Sequence, residues 1–189
     1  MTSSIVTFSG HAFDFRNPEC SAFSIMDIAH GLANTCRFAG QTTTFYSVAQ
    51  HSVIVSRIVP EVFALHGLFH DAAEAFAGDV PTPLKAMLPD YQALEHRIER
   101  SVFRRIGLPQ TMPPAIKHAD RVALNTERRD LMPPHSAAWS GLADVEILEE
   151  RIVALGPLEA RGLFLDRLME LTGDTLIYRV FEAEAELAA

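Results

Sequence analysis

Apolar residues recur every three or four positions along most of this chain, which is the repeat of one face of an α-helix. Polar stretches and stretches with Pro or Gly separate these patterns. The last residues, 182–189, favour a helix by intrinsic propensity. An α-helical domain is therefore the expected fold class. The predicted helices span residues 24–36, 47–59, 61–76, 89–106, 113–131, 144–155 and 158–171, with a shorter one between Pro83 and Pro89.

Residues 5–15 do not follow the helical repeat. They alternate in polarity, are rich in Thr, Val and Phe, and contain the turn signal Ser9-Gly10, which predicts a small β-hairpin. Ser24 with Asp27, and Ser47 with Gln50, have the spacing of helix capping boxes. The chain is thus expected to place a minor N-terminal β element before a set of helices.

The totals describe an ordinary water-soluble chain. It has 189 residues, of which 48% are hydrophobic and 21% charged, with a formal net charge of -8. This length fits one domain, and the composition argues against disorder. The acidic balance argues against binding to duplex nucleic acid, which needs a basic surface. A small anionic substrate stays compatible, because it meets a local site rather than the average charge.

Targeting and cysteine signals point to the cytoplasm. The first ten residues lack the basic and apolar regions of a signal peptide, and charges or prolines interrupt every apolar run before it reaches membrane length. Cys20 and Cys36 have no recognisable metal-ligand spacing. We therefore expect a cytoplasmic protein with reduced thiols and no membrane contact.

One stretch carries an unusual number of ionisable groups. Residues 68–85 read Leu-Phe-His-Asp-Ala-Ala-Glu-Ala-Phe-Ala-Gly-Asp-Val-Pro-Thr-Pro-Leu-Lys. They place His70 beside Asp71, Glu74 one helical turn on, and Asp79 just past the predicted helix end. A largely buried helix rarely carries so many charges unless they are paired or hold a metal.

Two residues elsewhere supply further candidate ligands. His51 and Asp120 each fall on the apolar face of their own predicted helix, so both should point inward. His51 alone is more typical of a hydrogen-bonded core histidine, and Asp120 alone of a surface salt bridge with Lys117 or Arg121. Together with His70 and Asp71 they favour one divalent metal. Imidazole suits Mn, Fe, Co, Ni or Zn better than Mg.

The order His51, His70-Asp71 and Asp120 resembles the HD-domain metal-dependent phosphohydrolases. The stretch from His70 to Lys85, and Ser-Val-Ala-Gln-His-Ser around His51, look like the corresponding parts of YfbR-type 5′-deoxynucleotidases. One departure is Gln50, because that group usually has Glu before the His. The resemblance covers roughly residues 25–131.

The resemblance implies an all-α HD-domain helical bundle with a small N-terminal β-hairpin. It would be a single domain over residues 1–189, with a hairpin extension at 1–20, a metal-site core at 25–131 and C-terminal helices at 142–189. It also implies a set of metal ligands. These are His51, His70, Asp71 and Asp120.

The same resemblance implies roles for other side chains. Glu74 matches an acid that helps to activate the attacking water, and Asp79 an acid near the leaving group or the sugar. Arg37 resembles the residue that grips the substrate phosphate, with Lys85 a weaker candidate. Each has an ordinary alternative: Asp79 as a turn cap, Arg37 as a helix C-terminal cation, and Lys85 as a solvated side chain.

The expected activity is hydrolysis of (deoxy)nucleoside 5′-monophosphates to nucleoside and phosphate. Two enzymatic alternatives, implied by other HD proteins, are triphosphohydrolysis of a dNTP and hydrolysis of an alarmone. A non-enzymatic alternative is a metal-binding regulatory module that has kept the ligands without turnover. Similar enzymes are often dimers, so a homodimer is expected.

Overall fold

The computed structural model describes residues 2–134, 136, 139 and 141–182. The helices are α1 (Ile25–Asn34), α2 (Val48–Ile58), α3 (Ala64–Phe69), α4 (Glu74–Ala77), α5 (Thr82–Lys85), α6 (Pro89–Ile106), α7 (Pro114–Leu131) and α8 (Pro157–Thr172). The strands are β1 (Ser4–Val6), β2 (Ala12–Asp14), β3 (Phe23–Ser24) and β4 (Val180–Phe181). The predicted class, a mostly helical domain with small β elements, is confirmed.

Helix α2 lies at the centre of the bundle and packs against α1, α3, α7 and α8. Its side chains are buried nearly all round, which is typical of a helix enclosed by its neighbours. His51 is fully buried in the first turn of this helix. Any functional group on the inward face of α2 is therefore held rigidly and shielded from bulk water.

The predicted hairpin is confirmed. β1 pairs antiparallel with β2, with Ser4 opposite Asp14. Its turn is tied to α1, because the Ser9 N–H and hydroxyl both donate to the Asp27 carboxylate, at 2.7 and 2.6 Å. Phe13 is fully buried and stacks on Phe76 at 4.0 Å between ring centroids. The hairpin thus packs against the motif-bearing stretch.

The capping predictions are confirmed at α1 and half confirmed at α2. Ser24 and Asp27 form the reciprocal box. The Ser47 hydroxyl accepts from the Gln50 N–H at 3.3 Å, but the Gln50 side chain does not return to the cap. It donates to Val153 O at 2.8 Å and accepts from Leu155 N at 3.0 Å, so it holds a distant loop against α2.

The single helix predicted over 61–76 is wrong. A 3₁₀ turn at Glu61–Phe63, then α3 and α4, replace it, with tight turns between the two helices. In those turns Ala72 N donates to Phe69 O, and Glu74 N to Asp71 O, both at 2.9 Å. His70 and Asp71 lie in these turns, and their side chains meet there, with His70 Nε2 3.1 Å from Asp71 Oδ2.

The helix predicted over 144–155 is also wrong, since this segment is an irregular chain lying along α7. Side chains of α7 form hydrogen bonds with the backbone of this segment. Arg129 donates to Leu148 O at 2.6 Å and to Glu150 O at 2.9 Å, while Ile152 N donates to Asp130 at 2.9 Å. These bonds satisfy the peptide groups without a helix, so tertiary contacts override the apolar spacing.

The C-terminal region is helical only in part. The pattern at 158–171 is confirmed as α8. Beyond it, β4 pairs with β3, a second two-stranded sheet that the sequence did not predict. The helix expected over 182–189 falls on Glu182, which is not helical, and on residues 183–189, which lie outside the described residues. None of the helices in the described ranges is long and apolar enough to cross a bilayer.

Gly31 and Gly162 make a matched pair for testing how α1 positions α4. A Cβ at Gly31 would lie 2.5 Å from the Ala75 carbonyl oxygen of α4, whereas a Cβ at Gly162 in α8 would meet open space. Overpacking of this kind costs ~1–3 kcal/mol, so Gly31→Ala should lower the free energy of unfolding by that amount in urea titrations. Gly162→Ala should raise it by ~0.5–1 kcal/mol. Equal effects of the two variants would contradict this packing.

Candidate metal centre

The four predicted ligands meet at one place in the bundle. His51 comes from α2, Asp120 from α7, and His70 and Asp71 from the turn after α3. His51 Nε2 lies 3.3 Å from His70 Nε2 and 3.2 Å from Asp120 Oδ1. Asp71 Oδ2 lies 3.5 Å from His51 Nε2 and 3.1 Å from His70 Nε2. Ligand atoms of His51, His70 and Asp120 therefore converge, and Asp71 lies against both imidazoles.

The protonation of the two imidazoles fits a cation at this point. His70 Nδ1 lies 2.8 Å from Gly67 O, which can only accept, so this nitrogen carries the proton. His51 Nδ1 lies 2.6 Å from the Glu127 carboxylate. Burial and Arg37 lower the pKa of His51, but Glu127 and Asp120 outweigh them and raise it to about 10, so the site without a metal stabilises a positive charge at His51. A bound cation would replace that charge beside the two Nε2 atoms, which lie 3.3 Å apart. The ligand atoms of His51, His70 and Asp120 lie within 4.8 Å of one another, so this donor set suits a metal ion.

The charges around the centre are strongly coupled. Burial raises the pKa of Asp71, but His70, His51 and Arg37 together hold it well below its usual value. Burial also raises the pKa of Asp120, but His51 and His70 outweigh it and lower this pKa below its usual value. Both carboxyl groups are therefore ionised at neutral pH, as metal ligands must be. The alternative salt bridge of Asp120 with Lys117 or Arg121 is not formed, since the carboxylate contacts His51.

Glu127 is a site residue that the sequence did not suggest. It lies on α7 two turns after Asp120 and is fully buried. Its Oε1 accepts from His51 Nδ1 at 2.6 Å and from the Tyr46 hydroxyl at 2.9 Å, and its Oε2 accepts from Arg37 at 3.2 Å. The available signal was its spacing of seven residues from Asp120, which puts both acids on one helix face.

Arg37 follows α1 on a 3₁₀ turn, Arg37–Gly40, rather than ending a helix. The reading of Arg37 as a helix C-terminal cation is therefore wrong. Phe38 and Ala39 in this turn have φ values of 54° and 50°, a strained conformation that costs ~1–3 kcal/mol per residue. The turn carries the guanidinium to 3.7 Å from Asp71 and 3.2 Å from Glu127. Within the described part of the chain, Arg37 Nε is buried without a hydrogen-bond partner.

Glu74 opens α4 at the edge of the centre and is 5% exposed. Burial, Asp71 and Asp79 raise its pKa well above the usual value, while Arg37 and Lys85 oppose the shift. Among the described residues, its Oε2 has no hydrogen-bond partner. Burial and Asp71 also raise the pKa of Asp79 against the cations. The pKa values of Glu74 and Asp79 are thus raised, whereas those of Asp71 and Asp120 are lowered.

Lys85 is ion-paired rather than solvated, so the solvated alternative is wrong. Its Nζ lies 2.7 Å from Glu95 and 3.6 Å from Glu74. Glu95 lies on α6, and its side chain is only 13% exposed. The Tyr91 hydroxyl donates to Gly78 O at 2.7 Å and lies 3.4 Å from Glu95 Oε1. Lys85 is thus held beside Glu74.

Comparison with known proteins agrees with these motifs. The chain is 42% identical over 171 residues to the uncharacterized protein YfdR of Escherichia coli, which is 90% of this chain and 96% of that protein. It is 40% identical over 125 residues to an uncharacterized protein of Rhodobacter capsulatus, 61% and 64% of the two chains. A 5′-deoxynucleotidase of Vibrio atlanticus matches over 50 residues at 38% identity, 26% of each chain.

The family comparison covers the part of the chain that builds the metal centre. Residues 34–132 match the model of the YfbR-like 5′-deoxynucleotidases. This region is more than half of the chain and runs from just before Arg37 to the end of α7. The chain therefore belongs to the YfbR-like 5′-deoxynucleotidase family.

Proposed function

We propose that this protein is a metal-dependent phosphohydrolase that converts (deoxy)nucleoside 5′-monophosphates to nucleoside and phosphate. The observation that carries the proposal is the convergence of His51, His70, Asp71 and Asp120 with Glu74 beside them. Family membership supports the reaction class. A regulatory module would need the ligands alone and not the neighbouring acid and arginine.

The four converging residues would hold one divalent transition metal. Such a metal polarises a phosphate oxygen and lowers the pKa of water. Two imidazoles and two carboxylates favour Mn, Fe, Co, Ni or Zn over Mg. The His70 ring is fixed by Gly67 O, so its Nε2 stays directed at the metal position.

Glu74 is proposed as the group that accepts the proton from the attacking water. Its raised pKa brings the carboxyl closer to neutrality, where a general base is most effective. Asp79, whose pKa is also raised, is proposed to serve the leaving-group side, as an acid or as an acceptor for a sugar hydroxyl. Within the described residues the Asp79 carboxylate accepts no hydrogen bond, so it is free to meet a ligand.

Arg37 is proposed to bind the substrate phosphate. A planar guanidinium can donate two parallel hydrogen bonds to a phosphate dianion. Glu127 uses one of its terminal nitrogens, and Asp71 lies further away at 3.7 Å. N–H groups of Arg37 beyond the Glu127 contact thus stay available beside the metal position.

Lys85 allows a test of how the charge of Glu74 is set. The Lys85 cation lowers the pKa of Glu74, so Lys85→Met should raise that pKa further. Because the proposed base must be ionised, the acid limb of the kcat–pH profile should move to higher pH. Lys117→Met, at an exposed lysine of α7, is the matched control and should leave the profile unchanged. A raised KM with an unmoved acid limb would assign Lys85 to phosphate binding instead.

The function is tested by a nucleotide panel assayed with Mn²⁺, Co²⁺, Ni²⁺, Zn²⁺ and Mg²⁺, with identification of the products. Nucleoside and inorganic phosphate from deoxynucleoside monophosphates are expected. Triphosphate released from dNTPs, or pyrophosphate from an alarmone, would replace the proposal with one of those activities. A metal-loaded protein that hydrolyses none of these compounds would favour a regulatory module.

A further inference from the structure

Glu127 connects the two halves of the site, the metal position and the phosphate position. One of its carboxylate oxygens is bonded to His51 and the other to Arg37. A third donor, the Tyr46 hydroxyl, shares the oxygen that binds His51. The three donors all come from residues 37–51, whereas Glu127 comes from α7. A single side chain thus ties the phosphate-side turn and α2 to the helix that carries Asp120.

The surroundings of Glu127 hold it in one geometry. The carboxylate is 0% exposed, and an ionised carboxylate at such a position is costly unless its lone pairs are satisfied. Two of its three partners are functional candidates, and both are oriented by the contact. The bond at His51 Nδ1 leaves Nε2 free for a metal, as carboxylates bonded to metal-binding histidines commonly do. The bond at Arg37 anchors one terminal nitrogen of the guanidinium.

We propose that Glu127 is a positioning residue with two tasks: it sets the ring orientation and tautomer of His51 for the metal, and it aims Arg37 at the phosphate. The proposal rests on the proposed function for the phosphate half, while the metal half stands without turnover. The residue before His51 does not perform this task here. Gln50 instead binds Val153 and Leu155, away from the centre.

A purely structural role would give a different result. If Glu127 only held α7 against α2, its replacement would lower stability and leave the affinities of the folded protein unchanged. The positioning role changes affinities even where stability is the same. Metal affinity and phosphate affinity are therefore the informative measurements, each made beside the melting temperature in EDTA.

Glu127→Ala removes both contacts. It should weaken the Kd for Co²⁺, measured by calorimetry, by ~10–100-fold, as loss of such hydrogen-bonded partners does elsewhere. Glu127→Gln keeps one oxygen for the two donors His51 and Tyr46 and turns an amide N–H towards Arg37. Its Co²⁺ affinity should recover towards wild type, while the inhibition constant of inorganic phosphate stays raised.

Asp130→Ala is the matched control, because Asp130 is another acid of α7 whose partners, Arg129, Arg151 and the Ile152 N–H, lie outside the centre. It should leave both affinities at the wild-type level. A folded Glu127→Ala protein with wild-type Co²⁺ affinity would overturn the metal half of the proposal. Wild-type phosphate inhibition in Glu127→Gln would overturn the phosphate half.

A measurement on the unaltered protein covers the case in which Glu127→Ala does not fold. In the Zn²⁺-loaded protein, long-range ¹H–¹⁵N NMR should find the His51 proton on Nδ1. A proton on Nε2 would overturn the metal half. Neither Co²⁺ affinity nor the tautomer requires catalysis, so a wild-type protein that hydrolyses no nucleotide would refute the proposed function alone.

Discussion

Glu74→Gln is expected to lower kcat by roughly 10²–10⁴-fold, the usual contribution of a general base, while metal binding is unchanged. The glutamine has the shape of Glu74 but cannot accept a proton. The four proposed ligands are other residues, so the metal position is preserved. The measurements are steady-state phosphate release and metal content after purification.

The control for this variant is Glu99→Gln. Burial raises the pKa of Glu99 on α6 as it does that of Glu74, yet Glu99 pairs with His96 outside the centre. Glu99→Gln should keep wild-type turnover, which separates the role of Glu74 from a general effect of removing a half-buried acid. Turnover of Glu74→Gln at the wild-type rate would show that water activation belongs to another group.

Asp71→Ala is expected to abolish metal binding, and activity with it. The Asp71 carboxylate lies within 3.5 Å of both imidazole Nε2 atoms and is held ionised by His70, His51 and Arg37. Without it, the centre would have one anionic ligand beside two histidines and an arginine. The positive charge of Arg37, no longer balanced by Asp71, would then repel a divalent cation. Calorimetric titration with Mn²⁺ or Co²⁺ measures the loss.

Asp166→Ala on α8 is the matched control for Asp71→Ala. Asp166 is exposed on α8, a helix that supplies none of the proposed ligands, so its removal lowers the negative charge by the same amount and leaves the ligand set intact. Wild-type metal affinity is expected for it. An Asp71→Ala protein that binds one equivalent of metal as tightly as wild type would remove Asp71 from the ligand set.

Glu74 and Asp71 also show how neighbouring acids can take opposite roles. They are three residues apart on one turn-rich segment. Asp71 faces two imidazoles and a guanidinium, which hold its pKa low against burial, whereas burial and the charges of Asp71 and Asp79 raise the pKa of Glu74 against Arg37 and Lys85. The environment thus separates a proposed ligand from a proposed base.

Local sequence determined the helical class, the hairpin, the box at α1 and the bounds of α6 and α7 within a residue. These features depend on neighbours in the chain: apolar spacing, caps, and the prolines and glycines that end a helix. The inward faces of His51 and Asp120 followed from the same periodicity. The family resemblance then implied that His51 and Asp120 meet His70 and Asp71 in one set of metal ligands.

Only the tertiary structure decided the features that depend on distant partners. The helix expected over 144–155 did not form because Arg129 and Asp130 of α7 bind its backbone. The helix over 61–76 is interrupted by tight turns within residues 69–74. Pairing of β3 with β4 joins residues more than 150 positions apart, which no local pattern encodes.

Glu127 is the clearest case of this division. Its sequence context is that of an ordinary acid on an amphipathic helix, and its three partners lie 76 to 90 positions earlier. Helical periodicity fixes the face on which a side chain lies, but not what the fold brings against that face. The sequence by itself therefore determined the candidate ligands and the acid beside them. The packing of α7 on α2 decided which carboxylate orients His51 and Arg37.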